Sequence, residues 1–202
     1  MRQTMILIAA AGLLAACDSN PPADDMTVEP DTASETMSPE GAEAGNVVRA
    51  MLMTADGEPA GEAILASTEG GLQLNLSLQG LPAGEHGVHI HQTGTCTAPD
   101  FKSAGGHWNP AGKQHGMENP QGAHMGDLPN VTIAEDGTGS LDYLVEGGTM
   151  DGENMLLDDD GAAFVVHAGP DDMKTDPAGD SGDRIACGVF EVRPSVATTP
   201  AE

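Results

Sequence analysis

The sequence predicts an all-β fold, an antiparallel sandwich or barrel, and three observations carry that prediction. Apolar residues alternate with polar ones: Leu72, Leu74, Leu76 and Leu78 are separated by Gln73, Asn75 and Ser77, the pattern of a strand with one buried face. The chain has 27 Gly, 14 Pro and only five aromatic residues, which favours short strands and many turns. No segment reads as a long amphipathic helix.

The elements follow in chain order. Met1-Arg2 is a short positive start, and Met5 to Ala16 is an apolar run, too short to span a bilayer but suited to a signal-peptide core. It ends in Leu14-Ala15-Ala16-Cys17, which resembles the lipobox of bacterial lipoproteins. Residues 1–16 are therefore expected to be a signal peptide and Cys17 the lipidated first residue of the mature chain. An ordinary secretory signal would leave the small residues and the Cys at the end of the run as coincidence. Between Asp18 and Ala44 there are eight acids, no base and few large apolar residues, too little apolar surface to fold. Residues 17–44 are expected to be a lipidated Cys and a flexible tether, 45–193 the folded domain, and 194–202 a flexible tail.

Within the domain, strands are expected at Val47–Met53, Ala63–Thr68, Leu72–Leu78, Val131–Ile133, Ser140–Val145, Ala163–His167 and Ile185–Val192. His86 to His91 is also strand-like. Asp56-Gly57, Glu69-Gly70-Gly71, Glu135-Asp136-Gly137 and Asp160-Gly161 are turn signals between them. Gln92 to Asn130 and Ala168 to Arg184 break the rhythm as long Gly/Pro-rich loops, and long ordered loops in a compact domain are usually functional. Asp158-Asp159-Asp160-Gly161 lacks the spacing of a calcium loop and reads as a solvated turn. The eleven methionines are scattered and are expected mostly to pack.

The chain carries 32 acids against 7 bases, a formal net charge of -25. Such a surface excludes nucleic acid as a partner and polybasic docking to anionic lipid. The three cysteines are Cys17, Cys96 and Cys187. With Cys17 lipidated, two remain, and an oxidising compartment favours their pairing.

All seven histidines lie between positions 86 and 167, and His89, His91, His107, His115 and His124 fall close together. In a strand, His89 and His91 project from one face, so two imidazoles converge as a metal requires. His124-Met125-Gly126-Asp127 adds a carboxylate. Imidazole with one carboxylate suits Zn²⁺, and a site built mostly of imidazoles suits copper. Spacing alone supports one or two transition-metal sites, not a reaction.

The motifs His86 to Gly94, Gly105-Gly106-His107-Trp108-Asn109-Pro110, Gln114-His115-Gly116, Gly122 to Val131, Val165 to Asp172 and Gly182 to Val189 resemble the bacterial copper/zinc superoxide dismutases, in family order across Gly45 to Val192. The resemblance implies a Greek-key β-sandwich or barrel with two long functional loops. It also implies one copper and one zinc per subunit. Copper would be held by His89, His91, His107 and His167, and zinc by His107, His115, His124 and Asp127, with His107 bridging. Asp171 would hydrogen-bond a ligand on each metal, Arg184 would stand beside the open copper face, and Cys96–Cys187 would be the structural disulfide. His86 falls at a structural position. Asp183, directly before Arg184, departs from the small neutral residue more usual there.

The activity so implied is disproportionation of superoxide to O₂ and H₂O₂, with His107 and Arg184 catalytic, in the bacterial cell envelope or periplasm, on a membrane through the lipid alone. Members of the family occur as monomers and as homodimers. The rival reading is a non-catalytic envelope copper/zinc carrier, which would need no anion-facing Arg.

Overall fold

A computed structural model of the protein describes residues 47–192. The expected signal peptide, Cys17, acidic tether and C-terminal tail lie outside the described residues. Among the described residues nine strands follow one another: β1 Val47–Thr54, β2 Pro59–Thr68, β3 Gly71–Leu78, β4 Gly84–His86, β5 Val88–His91, β6 Val131–Ile133, β7 Gly139–Glu146, β8 Ala163–His167 and β9 Arg184–Val192. The sole helical element among the described residues is a 3-10 turn at Lys102–Ala104.

Seven strands form one curled antiparallel sheet in the order β5-β8-β9-β1-β2-β3-β7, and β4 pairs with β6. β7 returns to pair with β3, and β9 returns to pair with β1. These non-consecutive neighbours are the connections of a Greek key. The sheet curls into a half-barrel around a core whose largest members include Leu52, Leu65, Leu72, Leu74, Ile90 and Phe164. Leu72, Leu74, Leu76 and Leu78 all face inward, each burial contributing about 1.5–3 kcal/mol. The alternation read in the sequence is thus the inward face of β3.

Two strands differ from expectation. β2 begins at Pro59 rather than Ala63, because its ladders with β1 and β3 extend over residues that carry no alternating pattern. The segment His86 to His91 is two strands rather than one, broken at Gly87. There Gly87 N–H donates to Gly169 O at 2.8 Å, and a Cβ would press on Ser181 and Asp171. His86 therefore pairs with Val131 on β6 while His89 and His91 pair with β8.

Of the seven described methionines, Met51, Met53, Met117 and Met155 are exposed, whereas Met125 and Met150 lie against the core.

β8 is buried on both faces. Phe164 and Val166 join the main core, whereas Ala163 and Val165 pack with Phe101, Ala104 and Cys187 under the loop 92–130. The outer face of β5, β8 and β9 is therefore roofed by the two long loops, and that covered face carries the site.

Candidate metal centre

Strand parity positions the first ligands. Val88 and Ile90 point into the core, so His89 and His91 point to the opposite face, across from Val165 and Ala163. His167 ends β8 at an irregularity in its ladder, opposite Arg184 of β9. The loop 92–130 is stitched to β5 by bridges His89–Asp127 and His91–His107. Ile90 N–H donates to Gly126 O at 2.9 Å and Gly126 N–H to Trp108 O at 2.8 Å. A Cβ on Gly126 would collide with the Ile90 carbonyl, so this glycine lets the loop press His124 and Asp127 onto the strand.

The side chains form two groups whose donor atoms lie within 4.8 Å of one another: His89, His91, His107 and His167, and His107, His115, His124 and Asp127. In the first group each ring is tied through one nitrogen. His89 Nε2 donates to Asp171 Oδ2 at 2.6 Å, His91 Nδ1 to Gly105 O at 3.0 Å, His107 Nδ1 to Asp127 Oδ1 at 2.8 Å and His167 Nδ1 to Gly182 O at 3.2 Å. The remaining atoms, His89 Nδ1 and the Nε2 atoms of His91, His107 and His167, are buried without a partner. An unpaired buried polar atom costs about 1–3 kcal/mol, and a cation accepting these four lone pairs removes that cost. The chemistry of the donor set suits copper.

In the second group, Asp127 Oδ1 lies 2.8 Å from His107 Nδ1, 3.0 Å from His115 Nδ1 and 3.2 Å from His124 Nδ1, and His107 Nδ1 lies 3.5 Å from His124 Nδ1. Tetrahedral zinc with bonds of about 2.0–2.1 Å needs donors roughly 3.3 Å apart, so these four atoms fit it. His107 is the one residue common to both groups.

Burial and charge sort the protonation states. Burial lowers His89 to about 3 and His167 to about 4, and lowers His91 and His107 as well, so the first group is neutral imidazole at neutral pH. Burial favours protonated carboxyls at Asp127 and Asp171, yet their histidine hydrogen bonds win and hold both well below the usual carboxylate range. His115 feels burial downward, but Asp127 and Asp171 raise it to about 9.

Asp171 spans the two groups. Its Oδ1 accepts from His115 Nε2 at 3.0 Å while Oδ2 holds His89. Asn130 clamps its backbone: Nδ2 donates to Asp171 O at 2.9 Å, and Asp171 N–H donates to Asn130 Oδ1 at 2.8 Å. Gly179, at φ +65, lies so close that a Cβ would overlap the Asp171 carboxylate.

Arg184 is half-buried and donates to Phe101 O and Gly105 O at 2.7 Å each. Gly105 O thus accepts from both Arg184 and His91. A cleft of about 440 Å³ opens here, lined by Pro99, Asp100, Lys102, Gly182, Asp183 and Arg184. Cys96 and Cys187 form a disulfide, S–S 1.98 Å, that joins the loop to β9.

The six expected histidines and Asp127 are brought together, with Asp171 behind them. His86 lies apart: its Nδ1 is 2.8 Å from His167 O and its Nε2 3.0 Å from Pro82 O. Sequence reasoning missed Asn130, the Gly105 carbonyl and Asp176, whose Oδ1 accepts the His115 N–H at 2.7 Å. None carries a sequence signal, since each acts through contacts made at long range.

Comparison with known proteins points to one family. The family model described as copper/zinc superoxide dismutase matches residues 60–190. The chain is similar to a copper-zinc superoxide dismutase of Aquifex aeolicus, 47% identical over 70% of this chain and 84% of that one. It is similar to the copper-zinc superoxide dismutase of Caulobacter vibrioides, 43% identical over 70% and 84%. Among solved structures, it resembles a superoxide dismutase-like protein from Bacillus subtilis, with TM-score 0.67, 38% identity, and coverage of 70% of this chain and 96% of that one.

Proposed function

This chain belongs to the copper/zinc superoxide dismutase family and disproportionates superoxide to molecular oxygen and hydrogen peroxide, and from that premise we propose which residues share the work. His89, His91, His107 and His167 hold copper, and His107, His115, His124 and Asp127 hold zinc. The observation that carries this assignment is the set of four orphaned nitrogens, three of them Nε2, to which His107 alone contributes while its Nδ1 belongs to the other group. When bound, copper supplies the one-electron couple that takes an electron from one superoxide and gives one to the next, and zinc supplies a fixed positive charge beside the shared ring.

The chain's own residues do the rest. Arg184 attracts the anionic substrate; its two carbonyl anchors hold the guanidinium in one pose, so little side-chain entropy remains to be lost on encounter. A net charge of -25 repels an anion at long range, but charges beyond about 8 Å are screened at physiological salt, which leaves the local field to decide. His107 is placed to manage a proton: its Nδ1 would stay held on the Asp127 side, and its Nε2, only while not ligating copper, would carry a proton for the peroxide product. Asp171 orients His89 and His115, fixing which ring nitrogen faces each metal.

Cys17, after removal of residues 1–16, carries the lipid, and residues 18–44 let the domain stand off the membrane within the bacterial envelope or periplasm. The lipobox-like Leu14 to Cys17 supports this reading, as does the disulfide, which belongs to an oxidising compartment. Cys17→Ser is expected to move the protein from the membrane to the soluble fraction; retention on the membrane would refute the anchor. Sedimentation of the released domain distinguishes a homodimer from a monomer.

The ligand assignment is tested by His89→Gln and His124→Gln, with metal content measured in each. His89→Gln is expected to lose copper and keep zinc, and His124→Gln the reverse. Exchange of those two outcomes would overturn it. Metal uptake by the wild type without superoxide removal would instead restore the carrier reading.

A further inference from the structure

We infer that Asp100 and Asp183 limit the rate at which this enzyme captures its anionic substrate, by cancelling the two positive charges of the cleft beside the copper group, whose wall residue Gly182 accepts from His167 Nδ1 and whose Arg184 shares the Gly105 carbonyl with His91. The inference rests on the reading of Arg184 as the anion-attracting group. Four of the six residues lining the cleft are charged, Lys102 and Arg184 against Asp100 and Asp183, so its formal charge is zero.

The cancellation is built into the backbone. Asp100 Oδ2 lies 3.0 Å from Lys102 Nζ, and Asp100 Oδ1 accepts the Lys102 N–H at 3.2 Å. The pair is exposed, at 81% for Lys102 and 56% for Asp100, but the turn that bears it is anchored. Arg184 donates to Phe101 O and Gly105 O, the residues flanking the Lys102–Ala104 turn, so the guanidinium clamps both ends of the turn that bears the pair. Phe101 is held from below, buried with Ala104 and the disulfide. Asp183 enters from the other wall. It is exposed, and its carbonyl accepts the Ala168 N–H at 2.8 Å, which fixes its backbone beside Arg184. Of the three other described cations, Arg49 is engaged with Glu62 and Lys174 with Glu118, and Lys113 lines a different cleft with Met117 and His124.

A small monoanion approaching this cleft meets a dipolar mouth rather than a positive one. Long-range steering depends on the net local charge, and each acid lies near enough to matter at low salt. Neutralising either one leaves a cleft of charge +1; neutralising both leaves +2. Coulomb attraction across a cleft of this size in water corresponds to about a two-fold change per charge at low ionic strength.

The test uses the copper- and zinc-loaded enzyme with Asp100→Asn, Asp183→Asn, the double variant, and Glu135→Gln, an exposed acid in the turn between β6 and β7, as control. Superoxide decay is followed after a radiolytic pulse at about 0.01 to 0.3 M salt, and azide affinity is titrated on the copper absorption band. Each Asn variant is expected to raise both the rate and the azide affinity about two-fold at low salt, and the double variant about four-fold. The gains should vanish at the highest salt, and Glu135→Gln should change neither. Asn variants that match Glu135→Gln in both readouts would overturn the inference. Arg184→Gln separates the two readings. If it weakens azide while the Asn variants do nothing, the inference alone falls. If it too leaves azide unchanged, the role of Arg184 falls with it.

Discussion

Replacing Asp171 by Asn probes the link between the two metal groups with the smallest possible change. The carboxylate accepts three hydrogen bonds through two oxygens: His89 Nε2 at 2.6 Å, His115 Nε2 at 3.0 Å and the Met173 N–H at 2.6 Å. An amide of the same shape has one acceptor oxygen and a donor NH₂. Whichever way it turns, the NH₂ faces at least one ring N–H. That ring must then move its proton to the nitrogen that faces a metal, or turn away. Loss of such an orienting partner typically costs 10–100-fold in metal affinity, or about 1.4–2.7 kcal/mol at roughly 1.36 kcal/mol per decade. The assay is competition against chelators of known affinity, run separately for copper and zinc, with the far-UV spectrum confirming the fold. Copper and zinc affinities both equal to wild type would refute the claim that Asp171 fixes the ligand tautomers.

Three further outcomes follow from the same geometry. Gly179→Ala should mimic the Asp171 variant in metal titrations, because its Cβ would overlap the carboxylate; wild-type affinity would show that the loop yields. Cys96→Ser paired with Cys187→Ser opens a loop of 91 residues and should lower unfolding free energy by about 4–5 kcal/mol in the chain-entropy model, read from denaturant midpoints. The metal-free domain should be most stable near pH 6.5. His89, His91, His107 and His167 are held below their ordinary value of 6.5, so the unfolded chain binds more protons and stability falls as pH drops from 6.5 through about 4 for His167 and about 3 for His89. His115 is raised, so its contribution is complete below 6.5 and is lost as pH rises through about 9. A thermal midpoint of the chelated protein that climbs steadily from pH 6 to 9 would contradict this balance.

The sequence by itself determined what depends on near neighbours. Leu72 to Leu78 announced a strand because pleating alternates faces within a few residues, and the same parity told that His89 and His91 share a side. The two long stretches without strand signals marked the loops that roof the site, and the ordered motifs pointed to both ligand sets. Tertiary structure decided what depends on residues far apart. Asp171 meets His89 across 82 residues and Arg184 meets the Phe101 carbonyl across 83; Asn130 and the Gly105 carbonyl matter only because the sheet brings those partners to them. The break at Gly87 was hidden as well, since it follows from which strands lie on either side rather than from the residues of the segment. Period and turn chemistry are local properties of a chain, whereas ladder register and loop docking exist only after closure, and closure is what brings the neighbouring charges Asp100 and Lys102 to the same cleft as Asp183 and Arg184.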